Sequence, residues 1–371
     1  MVVTIEREKF LEAVNHLSRI VSSKTSLPVL EGILISAERG KVTLISYNLE
    51  MGIKKEIYAS TDEEGDIVIN AKILADILRR MDGLSVEIST DDHLMCHIKS
   101  GAANFDIMGM ASSDFPEMPS VAQKDAITLS GEIIKNMVRR TIFAVAQNEG
   151  TRPILTGINV TFSEGNVKFV AIDGFRLAIR NEKLNISEDT NLIISGKAIG
   201  ELVKLINDDN EDVEIYINDN LICFKTNGYS FISRLLEGNF VDYKKTVPET
   251  YKQRIFVKTR ELIDTIERIS LVINDTFSTP VRCMVTEDKI IFSCNSSVGR
   301  ATESFPISLE GEEFEIGLNS RYLIEALKAS ESDTVKIEFG GPSAGVLIKP
   351  TDNDDFLYMI MPMRLRYWKK L

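Results

Sequence analysis

The chain has 371 residues, 44% hydrophobic and 26% charged, with a net charge of −12. That length exceeds one hydrophobic core and predicts two or three domains; the charge excludes a broad basic surface for nucleic acid but leaves room for a local basic patch. No apolar run reaches membrane-spanning length, Met1-Val2-Val3-Thr4-Ile5-Glu6-Arg7 is not a signal peptide, and Cys96, Cys223, Cys283 and Cys294 form no CxxC pair, so they read as reduced, cytosolic, mostly buried thiols.

In chain order, the first predicted element is a helix over about 7–21, where Phe10, Leu11, Val14 and Leu17 recur at helical spacing. Short β-rich segments follow, Ile33-Leu34-Ile35 and Val42-Thr43-Leu44-Ile45, joined by the turn Glu38-Arg39-Gly40. The strand Ile67-Val68-Ile69 runs into a second helix with Asn70 as its N-cap, and a late strand begins at Val86. Asp114-Phe115-Pro116 opens a polar, proline-containing linker.

The order then repeats. Predicted helices over 131–146 and 260–272 match the first. Asn70-Ala71-Lys72-Ile73-Leu74, Ser195-Gly196-Lys197-Ala198-Ile199 and Asn319-Ser320-Arg321-Tyr322-Leu323 lie 125 and 124 residues apart. Leu27-Pro28-Val29-Leu30, Arg152-Pro153-Ile154-Leu155 and Thr279-Pro280-Val281-Arg282 keep the same register, as do late strands at Val86, Val213 and Val335. Asn239-Phe240-Val241 begins a second linker 125 residues after Asp114. The expectation is three α+β domains over 1–124, 125–250 and 251–371, each with two helices on antiparallel sheet.

No catalytic set emerges. His93 and His97 lie in a strand-rich hairpin and read as surface residues rather than zinc ligands. Ser195-Gly196-Lys197 resembles a P-loop end, but Asn191 stands where the leading glycine belongs. Asp208–Asp212 and Asp352–Asp355 read as solvated turns, because neither has the pattern of a calcium loop. A binding protein without metal or cofactor is expected. The competing readings are an enzyme assembled from distant residues, with Asp173 and Arg176 as its best candidates, and a protein scaffold that binds no DNA.

The cations are more informative. Each repeat's second helix carries one in its first turn: Lys72, Lys197 and Arg321. Ion pairs such as Lys72–Asp76 and Arg321–Glu325 would make these ordinary surface helices. Yet a first-turn cation opposes the helix dipole, and finding it three times points to an external anion, phosphate by preference. Arg79 and Arg80 lie further along the first of these helices, and Arg139 lies on the predicted helix over 131–146. The chain then closes on a strand-like run, Phe356–Met361, stopped by Pro362. That stretch reads either as a last core strand with a frayed end or as a methionine-rich surface for a partner.

The three repeats, with Thr25-Ser26-Leu27-Pro28-Val29-Leu30, Asp173-Gly174-Phe175-Arg176-Leu177 and Met361-Pro362-Met363-Arg364-Leu365, resemble the bacterial sliding clamps, the beta subunits of DNA polymerase III, over essentially the whole chain. The resemblance implies a head-to-tail homodimer closing a six-domain ring around double-stranded DNA, without sequence preference. It implies processivity in DNA replication, cytoplasmic location, and partners comprising the polymerase III catalytic subunit, the clamp loader and other clamp-binding-motif proteins.

By position, Lys24, Lys72 and Lys197 would approach DNA, joined by Arg79, Arg80, Arg139 and Arg321. Phe105 and Ile107 would meet Leu271 and Val272 across the dimer interface, although Ala102, Asn104, Ser297 and Gly299 depart from the expected charged rim. The partner cleft would comprise Leu155, Gly174, Phe175, Arg176, Leu177, Val241, Met359, Met361, Pro362, Met363 and Arg364, an apolar pocket with a cationic edge. Phe175 and Val241 stand where histidine and proline are common. The tail 366–371 is expected to be mobile.

Overall fold

The computed structural model describes residues 1–22, 25–122, 124, 126–147, 150, 152–184, 189–274 and 279–365. Lys24 and the tail 366–371 lie outside them. The described residues contain six α-helices: α1 Arg7–Leu17, α2 Ala71–Arg80, α3 Gly131–Arg139, α4 Gly196–Leu205, α5 Thr259–Ser270 and α6 Ser320–Ser330. The chain divides into two compact units, residues 1–135 with 197–235, and residues 136–196 with 236–371.

The first unit holds two antiparallel sheets. One has five strands in the spatial order Ser60–Glu63, Val2–Glu6, Ser85–Thr90, Met95–Ser100, Ala103–Met108. The other has eight: Ile127–Ser130, Asp212–Ile217, Leu221–Thr226, Tyr229–Arg234, Met51–Tyr58, Lys41–Tyr47, Gly32–Glu38, Gly65–Asn70. Helix α1 buries Phe10, Ala13, Val14 and Leu17 and packs on α2 and on the strands Lys41–Tyr47 and Met51–Tyr58. Asn70 caps α2 as expected: its Oδ1 accepts the Ile73 N–H at 3.1 Å, relieving one of the orphan donors of the first turn.

The second unit repeats the plan. Its eight-stranded sheet runs Thr190–Ser195, Gly157–Ser163, Asn166–Ile172, Arg176–Lys183, Phe356–Ile360, Val346–Pro350, Thr334–Phe339, Gln253–Lys258. A four-stranded sheet runs Arg300–Pro306, Lys289–Asn295, Val281–Val285, Phe314–Leu318. Helices α5 and α6 pack on each other, and α6 lies on the strands Val346–Pro350 and Phe356–Ile360. Asn319 caps α6 by accepting the Tyr322 N–H at 3.2 Å.

Three helix ends differ from expectation. Helix α1 stops at Leu17 rather than near Val21, and Ser18 Oγ donates back to the Val14 carbonyl at 2.6 Å. Helix α3 stops at Arg139; buried Thr141 donates to the Met137 carbonyl at 2.7 Å, and a 3-10 turn over Ile142–Ala144 follows. Helix α5 ends at Ser270, whose Oγ donates to the Ile266 carbonyl at 2.7 Å. Hydroxyl side chains near each end provide alternative acceptor pairings, which apolar periodicity does not register. All four cysteines are buried and free; burial raises Cys96 and Cys223 to about 11, so they stay as thiols.

At Pro362 the chain changes sheets. The Met361 N–H makes a last rung to the Phe175 carbonyl at 2.8 Å. Pro362 has no N–H to offer, and Met363 instead donates to the Gly317 carbonyl at 2.8 Å in the four-stranded sheet. A Cβ on Gly317 would lie 2.7 Å from the Met363 carbonyl oxygen and 2.8 Å from a Leu365 methyl. Gly317→Val is therefore expected to detach the segment after Pro362 and cost ~2 kcal/mol. Limited proteolysis and a denaturant midpoint check this; an unchanged midpoint with no new cleavage would show that the crossing carries no load.

Candidate functional site

The Asp173-Gly174-Phe175-Arg176-Leu177 motif is a turn with one job per residue. It joins the strands Asn166–Ile172 and Arg176–Lys183. Asp173 Oδ1 accepts the N–H groups of Phe175 and Arg176, both at 2.9 Å. Gly174 takes φ +94°, a region that side chains disfavour. Phe175 stands exposed at the tip, and Leu177 is fully buried. Arg176 is 4% exposed, with its Nε 2.9 Å from Asp173 Oδ2 and Nη1 bonded to Glu325. Its guanidinium also lies over the Tyr322 ring at 4.3 Å and the Phe143 ring at 5.4 Å.

Beside this turn is a groove of about 420 Å³, lined by Ile172, Gly174, Arg176, Thr246, Pro248, Ser343, Ala344, Gly345, Met359 and Met361. Its floor is an apolar cluster of Val170, Ile172, Leu177, Leu347 and Met359, with Leu155, Ile179, Phe240, Tyr243, Val247 and Leu357 packed against it. Burying each large member contributes roughly 2 kcal/mol, so the floor is rigid. Gly345 makes room for the wall: a Cβ there would lie 2.6 Å from Met359 Cγ. A larger depression of about 750 Å³ lies in the same unit, but Thr161, Lys168, Asn181, Asp354 and other polar residues line it. It has no apolar anchor point, and the smaller groove fits a binding site better.

Of the expected cleft residues, the structure brings Gly174, Arg176, Met359 and Met361 to the groove wall and Leu155 and Leu177 to its floor cluster. Val241 is half-buried in the linker that supplies Phe240 and Tyr243. Pro362 and Met363 are half-buried past the groove, and Arg364 is exposed. Arg176 supplies no free positive edge, because Asp173 and Glu325 neutralise it. Burial works to raise the Glu325 pKa, but Arg321 and Arg176 outweigh it and hold the carboxyl below its usual range. Sequence reading missed Thr246, Pro248 and Ser343–Gly345; Pro248 and the Gly340-Gly341-Pro342 turn were the available signals.

The cations fall into two groups. Lys72 and Lys197 are exposed and have no acidic partner among the described residues. Asp76 pairs not with Lys72 but with Arg79 at 2.8 Å and Arg80 at 3.9 Å. Glu201 pairs with Lys204 at 2.6 Å. Arg321 does pair with Glu325, at 2.9 Å, and Arg139 with Glu331 at 2.6 Å. His93 and His97 are exposed, and His97 bonds Asp106 at 2.6 Å. Phe105 lies on the outermost strand of its sheet and is 38% exposed; Leu271, just after α5, is 82% exposed. Ile107 and Val272 are half-buried.

Repeated α+β domains with helix-borne cations and an apolar groove define the DNA-clamp class. Family models cover the chain in succession: the DNA polymerase III beta subunit N-terminal domain over residues 1–119, its central domain over 128–242 and its C-terminal domain over 244–364. The beta sliding clamp of Staphylococcus aureus (strain Mu50 / ATCC 700699) is 34% identical over 375 residues, covering 98% of this chain and 99% of that protein. The DNA polymerase sliding clamp of Bacillus subtilis matches with a TM-score of 0.94 at 31% identity, over 99% of this chain and 100% of that one. The DNA polymerase beta subunit of Streptococcus pyogenes matches with a TM-score of 0.92 at 28% identity, over 98% and 100%. The chain belongs to the DNA polymerase III beta subunit family and is a sliding clamp.

The turn's two components separate by mutation. Asp173→Asn keeps Oδ1 as the acceptor for the Phe175 and Arg176 N–H groups and loses the charge together with the Oδ2 acceptor of Arg176 Nε; a cost of ~1 kcal/mol is expected. Asp173→Ala loses the turn acceptor as well, at ~2 kcal/mol. Equal midpoints for the two variants in chemical denaturation would refute the division.

Proposed function

We propose that two copies of this clamp join head to tail into a closed ring around duplex DNA. The observation that carries this is a pair of strands that stand last in their sheets among the described residues. Ala103–Met108 ends one sheet of the first unit, and Arg300–Pro306 ends one of the second. Exposed apolar groups attend both: Phe105 and Met108 (63% exposed) on the first strand, and, for the second, Val298 (63% exposed) just before it and Leu271 at the end of α5, which packs on it. Open edges with apolar flanks invite strand pairing, and joining unlike edges generates a closed ring when the rotation closes. Ile107 and Val272 complete the contact in this reading.

Lys72 and Lys197, with Arg79, Arg80, Arg139 and Arg321, face the DNA. Their contacts are to phosphate, so the ring holds no sequence and slides. Exposed ion pairs are weak, so Arg79, Arg139 and Arg321 exchange a carboxylate for a phosphate at little cost. The negative charge elsewhere keeps DNA from other surfaces. The groove at Gly174, Met359 and Met361 takes the apolar anchors of short linear peptides from the polymerase III catalytic subunit, the clamp loader and other proteins carrying such a motif. The domains span 1–124, 125–250 and 251–371, the chain performs no catalysis itself, and it works in the cytoplasm.

Retention on nicked circular duplex DNA, lost on linearisation, is the expected result after loading. Equal retention on both forms would overturn encirclement, since only a topological link is released by an end. Separately, Phe105→Asp or Leu271→Asp is expected to give monomers by analytical ultracentrifugation with the fold intact by circular dichroism. A dimer of unchanged affinity in both variants would remove these edges from the interface.

A further inference from the structure

Arg176 and Arg321 share one carboxylate. Arg176 Nη1 bonds one Glu325 oxygen, while Arg321 Nε lies 2.9 Å from the other. The two arginines face different tasks. Arg176 is buried under the groove turn, whereas Arg321 stands half-exposed in the first turn of α6. Tyr322, the next residue, stacks on Arg176 and lies 6.5 Å from the Phe175 ring. At the far end of α6, buried Tyr358 donates from the groove strand to the Ala329 carbonyl at 3.0 Å. Both ends of α6 are thus fastened to the elements that build the groove.

From these contacts we infer that Glu325 is a positioning residue that couples engagement of Arg321 to the order of the peptide groove. When an external phosphate takes Arg321, Glu325 is left to Arg176 alone. An undivided carboxylate holds the guanidinium more strongly, and Arg176 in turn fixes the Gly174–Leu177 turn. DNA in the ring would then tighten peptide binding, and by linkage a bound peptide would favour phosphate at Arg321 by the same factor. The part identifying that phosphate as DNA rests on the ring proposed above. The network is partly exposed, so the coupling is a few-fold.

The test uses the full chain and a fluorescein-labelled peptide selected on it from a random library, with binding lost in Met361→Asp. Arg321→Gln mimics phosphate capture without any DNA. It is expected to tighten the peptide about threefold. Glu325→Gln is expected to weaken binding and to abolish the effect of Arg321→Gln in the double variant. A purely structural role for Glu325 would instead leave the Arg321→Gln effect intact. Arg321→Lys, which keeps the charge and loses the planar fork, should fall between wild type and Arg321→Gln. Unchanged or weaker peptide binding in Arg321→Gln overturns the coupling. Tightening by Arg321→Gln with no response to a short duplex oligonucleotide supports the coupling and removes DNA as its trigger.

Discussion

The structure depends on two antiparallel seams, each joining strands from different repeats. In the first unit Met51–Tyr58 pairs with Tyr229–Arg234, with Gly52 opposite Ile232. In the second, Arg176–Lys183 pairs with Phe356–Ile360, with Leu177 opposite Met359. Without these ladders each eight-stranded sheet would be two four-stranded sheets with raw edges. The seams remove those edges and bury their backbone groups in pairs. The central repeat is shared out in consequence. Its strands Ile127–Ser130 and Asp212–Arg234 belong to the first unit, and Gly157–Ser195 to the second.

The groove is a by-product of the second seam. Joining Arg176–Lys183 to Phe356–Ile360 sets the Asp-Gly turn beside Met359 and Met361, residues nearly 190 positions away in sequence. A buried arginine then holds the turn. Arg176 would be costly in an apolar floor without acids, and Asp173 with Glu325 offset that cost while two aromatic faces cover it. The arrangement offers shape and apolar surface, and the charge beneath it sets geometry.

Local chemistry explains what could be read from the sequence. Asn70 and Asn319 act as caps through bonds to residues three positions on, so their meaning is carried by their neighbours. The Asp173–Leu177 segment entered the sequence reading only as a motif of the resemblance; the turn it makes rests on a glycine and an Asx acceptor, both local features. Hydroxyl back-bonding at Ser18, Thr141 and Ser270 escaped a reading based on apolar period alone. Of the two arginines expected at the cleft, Arg176 is neutralised by a second partner that lies 149 residues away, while Arg364 is exposed. The expected Lys72–Asp76 pair gave way to Arg79 and Arg80, which leaves Lys72 more available to an outside anion than the sequence alone implied.

The two seams are related by the repeat but differ where a ligand would sit. Gly52 and Leu177 are 125 residues apart and hold matching places in their ladders. Leu177 fills its own place in the second seam. Gly52 cannot, and Met118 from the linker fills it instead: a Cβ on Gly52 would lie 2.5 Å from Met118 Sδ. Met118 also packs on the clusters around Phe115 and Val121, so the linker lies along the first seam and walls a pocket of about 360 Å³ there with Leu34, Ile45 and Ile232. In the second seam the corresponding linker supplies Phe240, Tyr243 and Val247 to the floor and leaves the wall at Met359 and Met361 open. Pro362 completes the difference, because it turns the chain into the other sheet instead of across the groove. The groove of about 420 Å³ at the second seam is thus walled by strand methionines, whereas the smaller one of about 360 Å³ at the first is walled by its own linker, and a glycine, a linker methionine and a strand-ending proline account for the difference.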